Sequence, residues 1–372
     1  MNSINPKLAC DLKKFGTFDF SSCYNCGQCT AVCSITGPDA SFPRMFIRYG
    51  MLGLTEEIIS SKDIWLCYAC GDCSETCPRQ ASPGDLMAAL RRFSMAKYEP
   101  TGLSAMIYKS NWFSLVFTLA LAVFLGFFLL TIKPDIPVSR WLFNFVPFQI
   151  IHDLGMIAFI FMGITAFTGL INMYRKINRK EKIKLRLKNT LLTVKQVIAE
   201  VFSMKRYRSC DDDKFSYWQS KNLLVKPWFL HFSIMLGFLG LLTATVLDFI
   251  LKDPALKTWW PSRILGTVSG LFLIYGTIIT LIYRIGKVTP AYSQTRMADW
   301  LFLIFLLLAG ITGFWLELAV FTDAASTLNN LVLLVHTVLS MELVVLFAFS
   351  KFGHAFYRPL ALFFHFYKNL EK

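Results

Sequence analysis

The chain has 372 residues, of which 55% are apolar and 15% aromatic, a more apolar composition than an ordinary soluble protein of this size carries. A formal net charge of +14 would suit nucleic-acid binding in a soluble protein, but no nucleic-acid recognition motif accompanies it. The basic excess instead fits the Lys and Arg residues that keep loops on the inner side of a membrane. We therefore expect contact with membrane lipid and no binding of nucleic acid.

Residues 1–108 have the Gly, Pro, Cys and charge content of a small soluble domain, and the apolar residues concentrate after residue 110. The first 20 residues lack the apolar core of a signal peptide, so we expect this domain to stay in the cytoplasm. Ten cysteines in a reducing compartment, most of them clustered at short spacings, indicate metal binding rather than disulfides.

Eight of the cysteines form two copies of the motif C-x2-C-x2-C-x3-C, and the second copy is followed by Pro78. In such runs three thiolates hold one 4Fe-4S cluster, and the fourth cysteine turns toward the other cluster. The predicted ligand sets are Cys23, Cys26, Cys29 and Cys77 for cluster 1, and Cys67, Cys70, Cys73 and Cys33 for cluster 2. A pair of zinc sites is the alternative, but two identical four-cysteine motifs favour iron–sulfur.

The stretch between the motifs, from Phe42 to Trp65, has apolar residues at helical spacing. It is longer than the connection in a minimal ferredoxin, which predicts a helical ferredoxin. Cys10 and Cys210 lie outside the motifs, and we interpret them as free thiols, with contact to a partner subunit as the alternative.

Six later segments are apolar and long enough to cross a hydrocarbon layer of ~30 Å as helices of ~20 residues. They are residues 111–132, 149–174, 228–251, 263–284, 298–320 and 328–355. The loop of residues 175–221 has fourteen Lys and Arg against five Asp and Glu, whereas the loops on the other side carry few charges. The positive-inside rule then puts this loop, the cysteine domain and the C-terminus in the cytoplasm. Apolar residues from Leu191 to Phe202 predict an amphipathic helix in the loop, either on the inner membrane surface, under a partner, or in solvent.

Four of the five histidines lie in or at the end of predicted membrane helices, where a polar side chain needs a partner. Two imidazoles from facing helices commonly hold b-type haem, which needs no CxxCH attachment motif. At ~1.5 Å per helical residue, His231 and His354 both lie near the inner boundary, and His336 lies ~27 Å farther out than His354. By the same measure His152 lies ~33 Å outward of Tyr174, which is the residue at the inner end of the same helix.

The predicted inner haem is therefore ligated by His231 and His354, and the outer haem by His152 and His336. A hydrogen bond to a backbone carbonyl is the alternative role for each histidine. His365 follows Pro359 in a Phe-rich tail and is not assigned to haem. A quinone site is predicted at the outer mouth, where a cation or an indole could bind a quinone carbonyl; interfacial anchoring of the membrane is the alternative. Its residues are Lys257, Trp259, Trp260 and Arg263.

Residues 18–95 resemble the C subunits of heterodisulfide reductases, which are helical ferredoxins with two 4Fe-4S clusters. Residues 225–358 resemble the cytochrome b subunits of respiratory nitrate reductases and of heterodisulfide reductases. The motifs that carry both resemblances are Ile64-Trp65-Leu66-Cys67, Cys77-Pro78-Arg79, Phe229-Leu230-His231, Ser269-Gly270 and Phe349-Ser350-Lys351. The fusion of the two parts is similar to the C subunits of quinone-interacting membrane-bound oxidoreductases.

In the nitrate reductase type, a second haem histidine follows the equivalent of His231 by ten residues, and here that position is Leu241. His152 is then the candidate for the missing outer ligand, with Met156 and Met162 on the same helix as substitutes. We expect two b haems in the chain, with one as the minimum.

The resemblance implies an electron-transfer subunit of the cytoplasmic membrane, with no catalytic residues of its own. It would connect menaquinone to flavin-containing and iron–sulfur partner subunits similar to the A and B subunits of those oxidoreductases, and through them to adenylylsulfate (APS) reductase. One rival is the membrane arm of a heterodisulfide reductase or of another quinone-linked reductase. A rival of another class is a membrane-anchored iron–sulfur redox sensor.

The predicted fold is all-α, with a helical dicluster ferredoxin domain followed by a six-helix transmembrane cytochrome b bundle. The predicted divisions are residues 1–108 (ferredoxin domain), 109–174 (two membrane helices), 175–224 (basic cytoplasmic linker), 225–358 (four-helix cytochrome b region) and 359–372 (interfacial tail).

Overall fold

A computed structural model describes most of the chain. The described residues are 4–16, 18–37, 40–132, 145–211, 222–251, 261–288, 292, 295–322 and 326–371. Within these ranges the regular structure is helical and no β-strand forms, apart from a single bridge between Gly37 and Ala40. The all-α prediction is therefore confirmed.

Eight helices, most of them short, make up the N-terminal domain. They are α1 (Leu8–Lys13), α2 (Gln28–Ala31), α3 (Arg44–Met51), α4 (Thr55–Ile59), α5 (Asp63–Leu66), α6 (Asp72–Glu75), α7 (Pro83–Tyr98) and α8 (Leu103–Lys109). Their apolar faces meet in one core that includes the fully buried Phe46, Ile58 and Leu90. Helices α3, α4 and α5 occupy the stretch between the cysteine motifs, as predicted for a helical ferredoxin.

Six further helices are long and apolar enough to cross a membrane, so the chain is a multi-pass membrane protein. They are α9 (Asn111–Thr131), α10 (Phe148–Glu181), α13 (Pro227–Leu251), α14 (Pro261–Ile285), α15 (Met297–Phe321) and α16 (Thr327–Val345). Helix α10 continues seven residues past its predicted end. Its last residue, Glu181, forms ion pairs with Lys62 of the N-terminal domain and Lys368 of the C-terminal helix, which explains the extension.

The predicted helix over residues 328–355 is wrong at its inner end. Helix α16 stops at Val345, a short 3-10 turn covers Lys351–Gly353, and a separate helix α17 runs from His354 to Glu371. The turn brings Lys351 Nζ to 3.5 Å from Asp299 Oδ1, and Gly353 packs so tightly that an added Cβ would lie 2.5 Å from Met95 Sδ. Because of this turn, α16 and α17 are two separate helices and not one straight helix. Pro359, the predicted start of a tail, lies inside α17.

The N-terminal domain packs directly on one end of the bundle of membrane helices, which is called the inner end below. Trp65 and Tyr98 of the domain contact the ring of Tyr357 in α17 at centroid distances of 5.2 and 5.5 Å. Arg92 Nη2 donates to Asp299 Oδ2 of α15 at 2.8 Å, and both side chains are almost fully buried. One continuous core thus joins the cysteine domain to the bundle.

The linker folds into α11 (Leu187–Ser203) and α12 (Lys205–Asp211). Helix α11 buries Thr193 and Glu200 and exposes the apolar Leu191, Ile198 and Phe202. The predicted amphipathic helix is therefore present, with an exposed apolar face.

Candidate functional site

The two cysteine loops have the same backbone. Asn25 and Ala69, each two residues after the first cysteine of their motif, have φ of 56° and 57°. Gly27 and Gly71, each after the second cysteine, have φ of 93° and 95°, which glycine adopts without strain. In both loops the amide two residues after the first cysteine donates to its Sγ at 3.4 Å. Two loops of the same backbone conformation, each with an amide directed at sulfur, are suited to bind two similar anionic groups.

The first three thiols of motif one share a pocket with the last thiol of motif two. This pocket of about 360 Å³ is open to solvent and has Arg44 and Arg79 at its wall. Its cysteines are Cys23, Cys26, Cys29 and Cys77. Burial raises the pKa of Cys29, and the neighbouring thiolates of Cys23, Cys26 and Cys77 raise it as well.

The other four thiols form a second group, in which each thiol is partly buried. Burial, with the nearby thiolates of Cys67 and Cys70, raises the pKa of Cys33 to about 11. Burial also raises the pKa of Cys73, and the thiolates of the same three cysteines add to the rise. The structure thus groups the eight thiols in the two sets that the exchange of the fourth cysteine predicts.

Crowded, buried thiolates repel one another, so a cation must accompany them when all are ionised. Among the described residues, no three His, Cys, Asp or Glu side chains converge on a single metal ion. A 4Fe-4S cluster spreads its four thiolates over four irons, so the residues present fit this group better than one tetrahedral Zn²⁺.

His231 of α13 and His354 of α17 face each other at the inner end of the bundle. Their ring centroids are 6.0 Å apart and their planes are inclined by 60°. Two imidazoles on opposite sides of one iron have centroids about 6 Å apart, because each metal–nitrogen bond is about 2 Å long. His354 Nδ1 contacts the Lys351 carbonyl, which only accepts, so Nδ1 carries the proton and Nε2 keeps its lone pair. The pair therefore fits the axial ligands of a b-type haem.

His336 and His152, the predicted outer pair, have separate neighbours. His336 Nδ1 lies 2.9 Å from Thr312 Oγ1, whose own hydroxyl donates to the Leu308 carbonyl at 2.6 Å. Nδ1 is then the donor, and Nε2 of His336 is again available for a metal. His152 Nδ1 donates to Asp153 Oδ1 at 3.0 Å, and its ring stacks on Phe148 at 6.4 Å. The structure brings the two rings of the inner pair together, whereas the described partners of His336 and His152 are Thr312 for the first and Asp153 and Phe148 for the second.

Of the four residues predicted at a quinone site, Lys257, Trp259 and Trp260 lie outside the described residues. Arg263 lies in the first turn of α14, where its carbonyl accepts a hydrogen bond from the Thr267 hydroxyl. The Thr267 hydroxyl also lies 2.6 Å from Glu317 Oε1 of α15. Of the two extra cysteines, Cys10 is exposed on α1. The side chain of Cys210 lies outside the described residues.

A narrow apolar pocket lies at the inner end of the bundle, between α8, α9, α15 and α16. Aromatic side chains including Phe117, Phe302 and Phe352 line it, together with the hydroxyl-bearing Ser114 and Thr118. This pocket could not be predicted from the sequence, because its residues are dispersed along the chain. Thr312 and Asp299 were not predicted either, although a polar residue within an apolar run was a signal for each of them.

Comparison with known proteins follows the same division of the chain. Residues 19–81 match the family model of a 4Fe-4S dicluster domain, and residues 139–370 match that of citrate utilization protein B. A dicluster domain carries two 4Fe-4S clusters, in agreement with the two cysteine motifs. No solved structure matches the chain significantly.

Three curated relatives match the N-terminal part. A heterodisulfide reductase C-subunit-like protein of Archaeoglobus profundus is 30% identical over 96 residues, which cover 26% of this chain and 51% of that protein. The iron-sulfur C subunit of the CoB–CoM heterodisulfide reductase of Methanopyrus kandleri is 36% identical over 76 residues, covering 20% and 40%. The C2 subunit of the H2/formate:CoB-CoM heterodisulfide,ferredoxin reductase of Methanococcus maripaludis is also 36% identical over 76 residues, covering 20% and 41%. The chain thus spans about half or less of the length of the relatives it matches.

Proposed function

The chain belongs to the citrate utilization protein B family, and on that premise we propose that it is a membrane electron-transfer subunit with iron–sulfur clusters and b-type haem. The observation that carries the proposal is the His231–His354 pair at 6.0 Å, directly beneath the domain that holds both thiol groups. The carriers of an electron relay must be held close together by a rigid structure. The continuous core of the cysteine domain and the bundle supplies that rigidity.

The cofactors would supply one-electron chemistry, and the residues of this chain would hold and insulate them. Cluster 1 is assigned to the thiols of Cys23, Cys26, Cys29 and Cys77, and cluster 2 to those of Cys67, Cys70, Cys73 and Cys33. The inner haem is assigned to His231 and His354, and the Lys351 carbonyl orients the ring of His354. The outer haem is assigned to His336 and His152, with α10 supplying the second ligand.

A quinone, with its two-electron chemistry, would connect this relay to the membrane pool. Menaquinone is the proposed substrate. Arg263 and its neighbours at the outer mouth remain the proposed site.

Cytoplasmic subunits are the proposed destination of the electrons. The similarity to heterodisulfide reductase C subunits supports docking of flavin-containing and iron–sulfur subunits on the cysteine domain, in an inner-membrane complex. APS reductase is our proposed final partner, as in the quinone-interacting oxidoreductases. The family description makes an oxidoreductase of citrate utilization a second candidate. Mass spectrometry of co-purifying proteins separates the two.

The first test is the cofactor content of the purified chain. We expect about eight non-haem irons, matching two 4Fe-4S clusters, together with b-type haem. His354→Ala should lose the inner haem and keep both clusters, since no cysteine is touched. His365→Ala, in the same helix, is the matched control and should keep all haem. Zinc in place of iron, or a His354→Ala protein with its full haem content, would contradict the proposal.

The outer haem has a test of its own. If His152 ligates it, His152→Leu should reduce the haem content of the chain by one and leave the inner haem spectrum unchanged. Pyridine haemochrome analysis and low-temperature spectra measure both quantities. One haem in the wild-type chain would assign His152 a structural role and place quinone exchange at the inner haem.

A further inference from the structure

Aromatic contacts link the haem histidine pair to one cysteine motif. The ring of Tyr207 in α12 meets the ring of His231 edge to face, with centroids 6.1 Å apart. Tyr207 also stacks on Tyr68, with centroids 5.5 Å apart and planes 18° apart. Tyr68 is the residue bonded to Cys67. Two short van der Waals steps therefore connect His231 to the thiol group of the second motif.

Three separate elements hold Tyr68 in this position. Its hydroxyl donates to Glu200 Oε1 of α11 at 2.6 Å, and this carboxylate also accepts from the Arg206 amide at 3.2 Å. The guanidinium of Arg358, in α17, lies 3.7 Å above its ring, a cation–π contact. Glu200 is one of only two residues that α11 buries in its described length. The basic linker thus contributes two residues to the surroundings of Tyr68, the buried Glu200 and Tyr207.

The first motif carries a tyrosine at the same place, and its surroundings are different. Tyr24 is bonded to Cys23 as Tyr68 is to Cys67, but 69% of its surface is exposed. Its described ring contact is with Arg79, whose guanidinium lies 4.2 Å away on the domain surface. Two copies of one sequence motif therefore point their tyrosines in different directions, one to the bundle and one to solvent.

We propose that the stacked Tyr68 and Tyr207 rings are the bridge for electrons between the haem at His231 and His354 and the cluster at Cys67, and that the cluster at Cys23 serves the cytoplasmic partner. The inference rests on the proposed function and adds the order of the carriers to it. In each transfer one electron leaves one carrier and enters the other, and no bond or proton is exchanged.

The bridge is tested on the full-length chain in detergent, with its clusters and haem reduced by dithionite. After removal of the reductant, the protein is mixed with a lipid-soluble menaquinone analogue. Freeze-quench electron paramagnetic resonance follows the clusters, and visible absorption follows the haem. Haem content and the haem midpoint potential are measured first for each variant.

Tyr207→Leu removes both ring contacts and should slow reoxidation of the clusters several-fold, with haem reoxidation unchanged. Tyr207→Phe keeps the rings and should behave as wild type. Tyr24→Leu, the equivalent change in the other motif, should leave cluster reoxidation at the wild-type rate. Wild-type rates in Tyr207→Leu, or equal slowing in Tyr24→Leu, would overturn the bridge.

Because Tyr207 touches His231, its loss could disturb haem binding. Tyr68→Leu has no ring contact with either histidine and must slow the clusters in the same way; a wild-type rate in that variant also overturns the proposal. A wild-type chain that contains no haem is a distinguishable result, because it overturns the proposed function itself.

Discussion

Cys33 and Cys77, the last cysteines of their motifs, each lie with the thiols of the other motif. The reason is local: each motif turns through a left-handed glycine after its second cysteine, and a one-turn helix then carries the fourth thiol away from the first three. Each proposed cluster therefore depends on cysteines of both motifs, which lie far apart in the chain.

Replacement of a fourth cysteine should therefore damage the remote cluster. Cys77→Ser should destroy cluster 1, assigned to Cys23, Cys26 and Cys29, and lower the non-haem iron from about eight to about four. Iron assay and electron paramagnetic resonance measure this change. Cys10→Ser alters an exposed thiol outside both groups and should keep all the iron. Loss of the cluster at Cys67 instead would show that each motif holds its own cluster.

Among the elements, α13 and α14 approach most closely through small residues. A Cβ added at Gly237 would lie 2.6 Å from the Leu273 backbone nitrogen, and one at Gly240 would lie 2.0 Å from Ser269 Oγ. Membrane helices associate largely by such close packing, since lipid offers no hydrophobic drive between them. This contact holds α13, and so His231, in place against the rest of the bundle.

Gly237→Ala should destabilise the bundle, although alanine normally favours a helix by about 1 kcal/mol over glycine. The methyl group would meet backbone that cannot yield, and overpacking of this kind costs about 1–3 kcal/mol. Gly163→Ala in α10 is the matched control, because nothing lies within 4 Å of the added Cβ. Thermal unfolding in detergent should show a lower Tm for the first variant and an equal or higher Tm for the second. The reverse order would contradict the packing.

For the whole molecule, the decisive feature is the shared core between the cysteine domain and the bundle. A buried ionic contact lies within it: Asp299 of α15 receives Arg92 of α7 at 2.8 Å and Lys351 at 3.5 Å. The contact ties the orientation of the ferredoxin domain to α15. The two domains should therefore unfold as one unit.

Arg92→Met should lower the free energy of unfolding by about 3 kcal/mol, the low end for breaking a buried pair, because Lys351 still faces Asp299. Lys14→Met removes the exposed pair with Asp11 at 3.0 Å and should cost less than about 1 kcal/mol. Denaturant unfolding followed by haem absorbance and by cluster absorbance measures both variants. Separate transitions of the two signals in the wild type would contradict a single cooperative unit.

The sequence predicted those features that depend on local pattern. Apolar length located all six membrane helices, and motif spacing located both thiol groups, because each signal lies within one segment. The end of α16 was missed since it depends on Met95 and Asp299, which belong to other elements. The position of Tyr68 was missed for the same reason: the spacing is identical around Tyr24, and only tertiary packing distinguishes the two.

The most direct test of the electron-transfer account compares wild type with His354→Ala, both reduced by dithionite and then mixed anaerobically with a lipid-soluble menaquinone analogue. Freeze-quench electron paramagnetic resonance measures how fast the clusters are reoxidised. If haem connects quinone to the clusters, the wild-type clusters should be reoxidised quickly and those of His354→Ala should stay reduced, with iron content equal in both. Equal reoxidation rates in the two proteins would show that electrons bypass the haem, and would contradict the account.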